Sequence, residues 1–203
     1  MICRPVFGLL CCALLATSAS ARPIITTKYV YYPVRGKSAA EIYSAMIRSG
    51  PHVKGEKAYA ATTATTAQDG KLIQGKSCQI QNYRLKINFT IKLPKLQSTA
   101  GVPPTDLARW RQFEGFVRRH EETHRSIWLG CASRLEAQIR TIRARTCGEA
   151  DKRAEQLWNQ MRAQCSAKHD AFDAAEGRRL LKNPFVQYVF SRKSRVTSAA
   201  RVP

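Results

Sequence analysis

The stretch "TDLARWRQFEGFVRRHEETHRSIWLGCASRLEAQIRTI", residues 105–142, decides how the chain folds. It holds no proline, and its glycines are Gly115 and Gly130. Trp110, Phe113, Val117, His120, His124, Ile127, Cys131, Leu135 and Ile139 recur at spacings of three and four. Residues so spaced share one face of a helix, so the stretch reads as a long amphipathic helix with this stripe turned inward. His120 and His124 belong to the stripe and leave the helix on the same face.

Downstream, "RARTCGEAD" at 143–151 breaks the stripe and reads as a loop. A second helix is expected over about 150–176, turning Leu157, Met161, Cys165 and Phe172 towards the first and stopping near Gly177. From Arg178 onward there are seven basic residues and no acidic ones. Within this tail "PFVQYVF" is apolar enough to dock, and "SRKSRVTSAARVP" reads as disordered.

Upstream the period changes from helix to strand. Tyr83, Leu85, Ile87, Phe89, Ile91 and Leu93 alternate with Arg84, Lys86, Asn88, Thr90 and Lys92, a strand with one dry face. "IITTKYVYYP" at 24–33 and "AYAATTATT" at 58–66 read as further strands, the latter closed by a turn at "QDG" (68–70). Between them Ser38 and Glu41 make a capping box and Gly50-Pro51 a stop, which predicts a helix over 39–49. The expected fold is α+β: an N-terminal antiparallel sheet with one short helix, followed by a long two-helix hairpin.

The first residues have another purpose. "MICR", the apolar run "PVFGLLCCALLATSA" and "ASA" at 19–21 read as a signal peptide cleaved after Ala21. The expected divisions are 1–21 signal peptide, 22–180 folded domain and 181–203 basic tail. No later segment is long and apolar enough to cross a membrane as a helix. Cleavage leaves Cys78, Cys131, Cys147 and Cys165, an even set that predicts two disulfides with three connectivities open. Together these place the chain in the periplasm or outside the cell. The net charge of +20 favours an anionic partner such as an envelope polymer or lipid, and export argues against nucleic acid.

"HEETH" at 120–124 carries the chemistry. Two imidazoles one turn apart can bind one zinc ion, and Glu121 is rotated about 100° from His120, beside the metal rather than on it. From there its carboxylate can take the proton of a zinc-bound water that attacks a carbonyl. The longer motif with a third histidine is absent, because Ile127 and Gly130 stand at its glycine and histidine positions. The third ligand must come from elsewhere, and "AKHDAFDAAEG" at 167–177 offers His169, Asp173 and Glu176. Antiparallel helices exchange one residue for one. If Cys131 were bonded to Cys165, His120 would stand opposite Glu176 and His124 opposite Phe172, with Asp173 between. That order ranks Asp173 first, then His169, then Glu176. Without that bond His169 gains.

Taken in order, "YYPVRGKSAAEIYSAMIRSGP", "AYAATT", "SCQIQNYRLKINFTIKLPK", "RWRQFEGFVRRHEETH" and "AKHDAFDAAEG" resemble a bacterial family of predicted secreted zinc-dependent proteases, catalogued as a domain of unknown function. The resemblance implies a zincin-like site with His120 and His124 as ligands, Glu121 as base, and Asp173 as the aspartate of the family's "YD" or "FD" pair. It also implies a Cys78–Cys147 pair, with Cys131 and Cys165 as an addition in this chain. The expected function is therefore an exported zinc metallopeptidase acting on a peptide or protein. The alternatives are a non-catalytic, basic envelope protein binding anionic polymer or lipid, with structural metal or none, and an amidase acting on cell-wall peptide.

Overall fold

The computed structural model of the chain describes residues 23–199, with side chains through Ser191. The expected signal peptide and residues 200–203 lie outside the described residues. The order of elements is β1 (Ile24–Val34), α1 (Ala39–Ser49), a hairpin of β2 (His52–Val53) and β3 (Glu56–Lys57), β4 (Ala61–Gln74), β5 (Cys78–Leu96), α2 (Pro104–Arg140), α3 (Cys147–Leu180) and α4 (Pro184–Ala199). The fold is α+β, a sheet with one short helix followed by long helices.

The sheet order is β1-β5-β4, so the strand with the clearest alternation is the central one. Leu85, Ile87, Phe89, Ile91 and Leu93 are all buried on one face, as period two requires. The sheet is mixed rather than wholly antiparallel. β4 runs antiparallel to β5, but β1 runs parallel to it, from Ile24 opposite Lys86 to Val34 opposite Leu96. α1, the short hairpin and β4 intervene between β1 and β5, so the two meet through a crossover. Alternation fixes which face a side chain takes and says nothing about strand direction.

Local chemistry explains most of the boundaries. Ser38 Oγ accepts from the Glu41 N–H at 3.3 Å and caps α1. The Glu41 carboxylate accepts from the Lys37 N–H at 2.8 Å, one residue before the cap's own N–H. Asp106 of α2 accepts from Ala39 N at 2.9 Å and satisfies a second N-terminal donor of α1. The expected turn at 68–70 is instead a bulge inside β4, with the register shifting between Asp69 and Lys71. Gly70 suits it, because a Cβ there would come within 3.0 Å of Ile80 Cγ2. The strand turns later, where Gly75 N donates to Ser77 O at 3.2 Å.

α3 runs longer than expected. Thr146 Oγ1 accepts from Glu149 N at 3.2 Å, so α3 starts at Cys147, inside the stretch expected to be a loop. It passes through Gly177 to Leu180. The docking expected of "PFVQYVF" takes place: Phe185, Val186 and Val189 of α4 are buried among Trp110, Phe113 and Met46. The chain expected to be disordered from Ser191 continues as helix to Ala199.

α2 spans two apolar clusters. Trp110, Phe113 and Val117 join Ile91 and Leu93 with α1 and α4. Cys131, Leu135 and Ile139 join Leu85, Ile87 and Phe89 with Met161 of α3. The HEETH turn falls in the seam between them, which leaves its polar face open towards α3. Disulfides Cys78–Cys147 and Cys131–Cys165, with Cα separations of 5.1 and 6.1 Å, tie α3 to β5 and to α2. Among the described residues no helix is long and apolar enough to cross a membrane.

Candidate metal centre

The antiparallel packing of α2 and α3 brings His120, His124 and Asp173 together, with one ligand atom of each within 4.8 Å of the others. His124 Nε2 lies 3.0 Å from His120 Nε2 and 2.9 Å from Asp173 Oδ1. His120 Nε2 lies 3.2 Å from the same oxygen. Donors about 2.0–2.1 Å from a tetrahedral zinc stand roughly 3.3 Å apart, so a triangle with these edges fits three of its four positions.

The surroundings fix the imidazoles. Phe172 stacks on the His120 ring at 4.9 Å and meets the His124 ring edge-on at 5.2 Å. His124 Nδ1 faces His169 Nδ1 at 2.8 Å. A metal on His124 Nε2 requires the proton on Nδ1, and that N–H then donates to His169. His120 Nδ1 is turned towards Glu176 Oε2 at 4.0 Å. Of the three residues weighed as third ligand, the structure therefore puts Asp173 among the donor atoms and His169 and Glu176 behind the imidazoles. Glu176 is also held by Arg179, whose Nη1 donates at 2.7 Å. Burial lowers the pKa of both motif histidines, His124 to about 4, which keeps their rings neutral and able to donate lone pairs.

Glu121 is only 4% exposed. Burial is the largest cause that raises its pKa to about 7, while hydrogen bonds from Thr62 oppose the rise. Its Oε2 has no hydrogen-bond partner among the described residues. An orphaned carboxylate oxygen beside three convergent donors is what a base acting on a water at the open fourth position would present. Thr62 Oγ1 also donates to the Glu121 carbonyl oxygen at 3.1 Å, pinning α2 to the outer strand β4.

Other charges near the motif are occupied elsewhere. Tyr29 hydroxyl donates to Glu122, and Arg125 Nε donates to Thr27 Oγ1 at 2.9 Å. Tyr83 hydroxyl donates to Gln68 at 2.8 Å in the second apolar cluster. His52 sits exposed on β2.

Two hollows adjoin the triangle and share Ala58, Ala60, His120, Glu121 and Asp173. One, of about 200 Å³, is walled by Tyr59, Phe116, Val117 and Leu180. The other, of about 390 Å³, is of mixed lining, with Val53 and Trp128 beside Lys54, Thr62, His169 and Asp170. Lys54 sits at the tip of the β2–β3 hairpin and reaches Asp170 of α3 at 2.7 Å. Sequence reading missed Thr62, Tyr59 and Lys54. No local pattern marks them, because their roles depend on β4 and the hairpin lying beside helices far away in the chain.

Over residues 29–179 the chain matches the model of a family described as "Bacterial protein of unknown function (DUF922)", and it belongs to that family. No curated protein and no solved structure matches it significantly.

Proposed function

We propose that this member of the family is an exported zinc-dependent peptidase, with His120, His124 and Asp173 as metal ligands and Glu121 as general base. The observation that carries this reading is the donor triangle with a buried, half-satisfied carboxylate beside it. A zinc ion held there supplies a Lewis acid that polarises a carbonyl and makes water acidic near neutral pH. The imidazoles are presented in their neutral form, each backed on its other nitrogen. Glu121 holds and moves the proton of the attacking water, and its burial suits it to gain a proton near neutral pH.

A non-catalytic structural metal would call for a fourth protein ligand. Glu176 does not supply it, since its carboxylate is bonded to Arg179 and lies beyond His120 Nδ1. The open position and the adjoining groove favour catalysis over a structural role. The two disulfides suit an oxidising compartment, the periplasm or the cell exterior.

The test begins with zinc content by elemental analysis of protein purified from the periplasm without added metal, with His124→Ala beside it. About one zinc per chain, lost in the variant, is expected. Glu121→Gln is then expected to keep zinc and to lower hydrolysis of a mixed peptide library by roughly 10²–10⁴-fold. Equal zinc in wild type and His124→Ala would sink the metal site, and activity surviving in Glu121→Gln would sink the base.

A further inference from the structure

We infer that the apolar hollow beside the donor triangle is a specificity pocket for one bulky apolar side chain of the substrate, and that Gly177 keeps its mouth open. This rests on the peptidase reading and adds the substrate class. The hollow opens onto His120, Glu121 and Asp173, so a group seated in it belongs to a chain lying across the reacting position. Its apolar walls include Tyr59, Phe116, Val117 and Leu180, and Glu176, bonded to Arg179, also lines it. Tyr59 is held rigid: its ring meets Phe113 edge-on at 5.5 Å, its hydroxyl bonds Tyr43 hydroxyl at 3.1 Å, and its carbonyl accepts from Tyr32 at 2.6 Å. The pocket is therefore pre-formed. A dry apolar cavity of about 150 Å³ accepts benzene, so one of about 200 Å³ takes a phenylalanine- or leucine-sized group.

Gly177 stands on the rim, inside helix α3. Glycine within a helix costs about 1 kcal/mol relative to alanine. Neither a left-handed φ nor crowding calls for it here, since a Cβ at 177 would meet no atom within 4 Å. What the missing side chain leaves is access. The hollow on the other side of the triangle mixes apolar groups, Val53 and Trp128 among them, with Lys54, Thr62, His169 and Asp170. The charged side chains Lys54 and Asp170 thus lie on one side of the triangle, and the aromatic and aliphatic walls of Tyr59, Phe116 and Leu180 on the other.

The test measures binding, independently of turnover. Acetohydroxamate and 3-phenylpropanohydroxamate are titrated calorimetrically into the zinc-loaded wild type, Gly177→Leu and Phe116→Ala. Burying the phenyl group should tighten binding at least about tenfold in the wild type. That ratio should fall below about threefold in Gly177→Leu, which fills the mouth, and should also fall in Phe116→Ala, which removes a wall. Circular dichroism and zinc content check that each variant is folded and loaded. Leucine in place of a helical glycine favours the helix, so that variant should keep its fold. No gain from the phenyl group in the wild type, or the same gain in both variants, overturns the pocket. If the wild type binds no zinc, the peptidase reading fails separately. The pocket is then read by NMR saturation transfer with N-acetyl-phenylalaninamide against N-acetyl-alaninamide. Preference for the aromatic amide that is lost in Gly177→Leu upholds the pocket, and no preference overturns it.

Discussion

Asp173 is half exposed, yet its Oδ1 reaches both Nε2 atoms of the motif. A neutral imidazole can offer this carboxylate one N–H at most, whereas a cation held by all three groups would bind it more strongly. Asp173→Ala should therefore weaken zinc binding by more than about 100-fold, measured by competition with a chromogenic chelator, with little change in the urea midpoint of the metal-free protein. That loss should exceed the effect of removing a residue behind the ligands, which typically costs 10–100-fold. His169 is such a residue. His169→Phe removes the acceptor for the His124 Nδ1 proton while keeping a ring in the same space, and should lower zinc affinity about 10–100-fold in the same assay. A larger loss than that of Asp173→Ala would make His169 the ligand.

At the scale of the element, the hairpin of α2 and α3 is what assembles the site. Three side chains of the site, His120, Glu121 and His124, come from one turn of α2, and their partners come from a segment about 50 residues later. The Cys131–Cys165 bond fixes the register between them. With that bond in place His120 lies against Glu176 and His124 against Phe172, the pairs that one-for-one exchange along antiparallel helices requires. Cys165 Sγ also lies 3.8 Å from His169 Nε2, so the bond backs the buttress directly. Replacing both cysteines by serine removes a cross-link between residues separated by 34 in sequence. It should lower unfolding free energy by about 4 kcal/mol at most, as read by urea denaturation. Zinc affinity should fall in the same variant while helix content by circular dichroism stays the same. A variant with unchanged affinity would show that packing alone holds the register.

For the whole molecule, the disulfides, the two apolar clusters and the proposed zinc site bear on one folding equilibrium. The proposed ligands come from two helices, so the complete site would exist only in the folded state, and zinc bound to that state would add to stability. Free zinc at about 1,000 times its Kd should raise unfolding free energy by about 4 kcal/mol, and a strong chelator should lower Tm correspondingly. A Tm that ignores zinc would mean that no folded-state site exists. The charge of +20 belongs to this scale too. It bears on encounter with anionic partners rather than on the fold.

The sequence by itself determined what depends on neighbours a few residues away. The 39–49 helix, the alternation of the central strand, the stripe of α2 and the shared face of His120 and His124 all follow from periods of two or 3.6 and from caps. The facing of the two helices followed only on the condition of a Cys131–Cys165 bond, which turns a long-range question into counting along two regular elements; the structure supplies that bond. Caps hidden in an apparent loop, such as Thr146 with Glu149, were readable in principle and outweighed by the break in the stripe. Only the tertiary structure decided the rest. It set β1 parallel to β5, turned the glycine at 70 into a bulge, and brought Thr62 to Glu121 and Tyr59 to the hollow beside His120 and Asp173. Strand direction and sheet edges are settled by which surfaces bury each other across the whole chain. A pattern local to one segment carries no record of that choice.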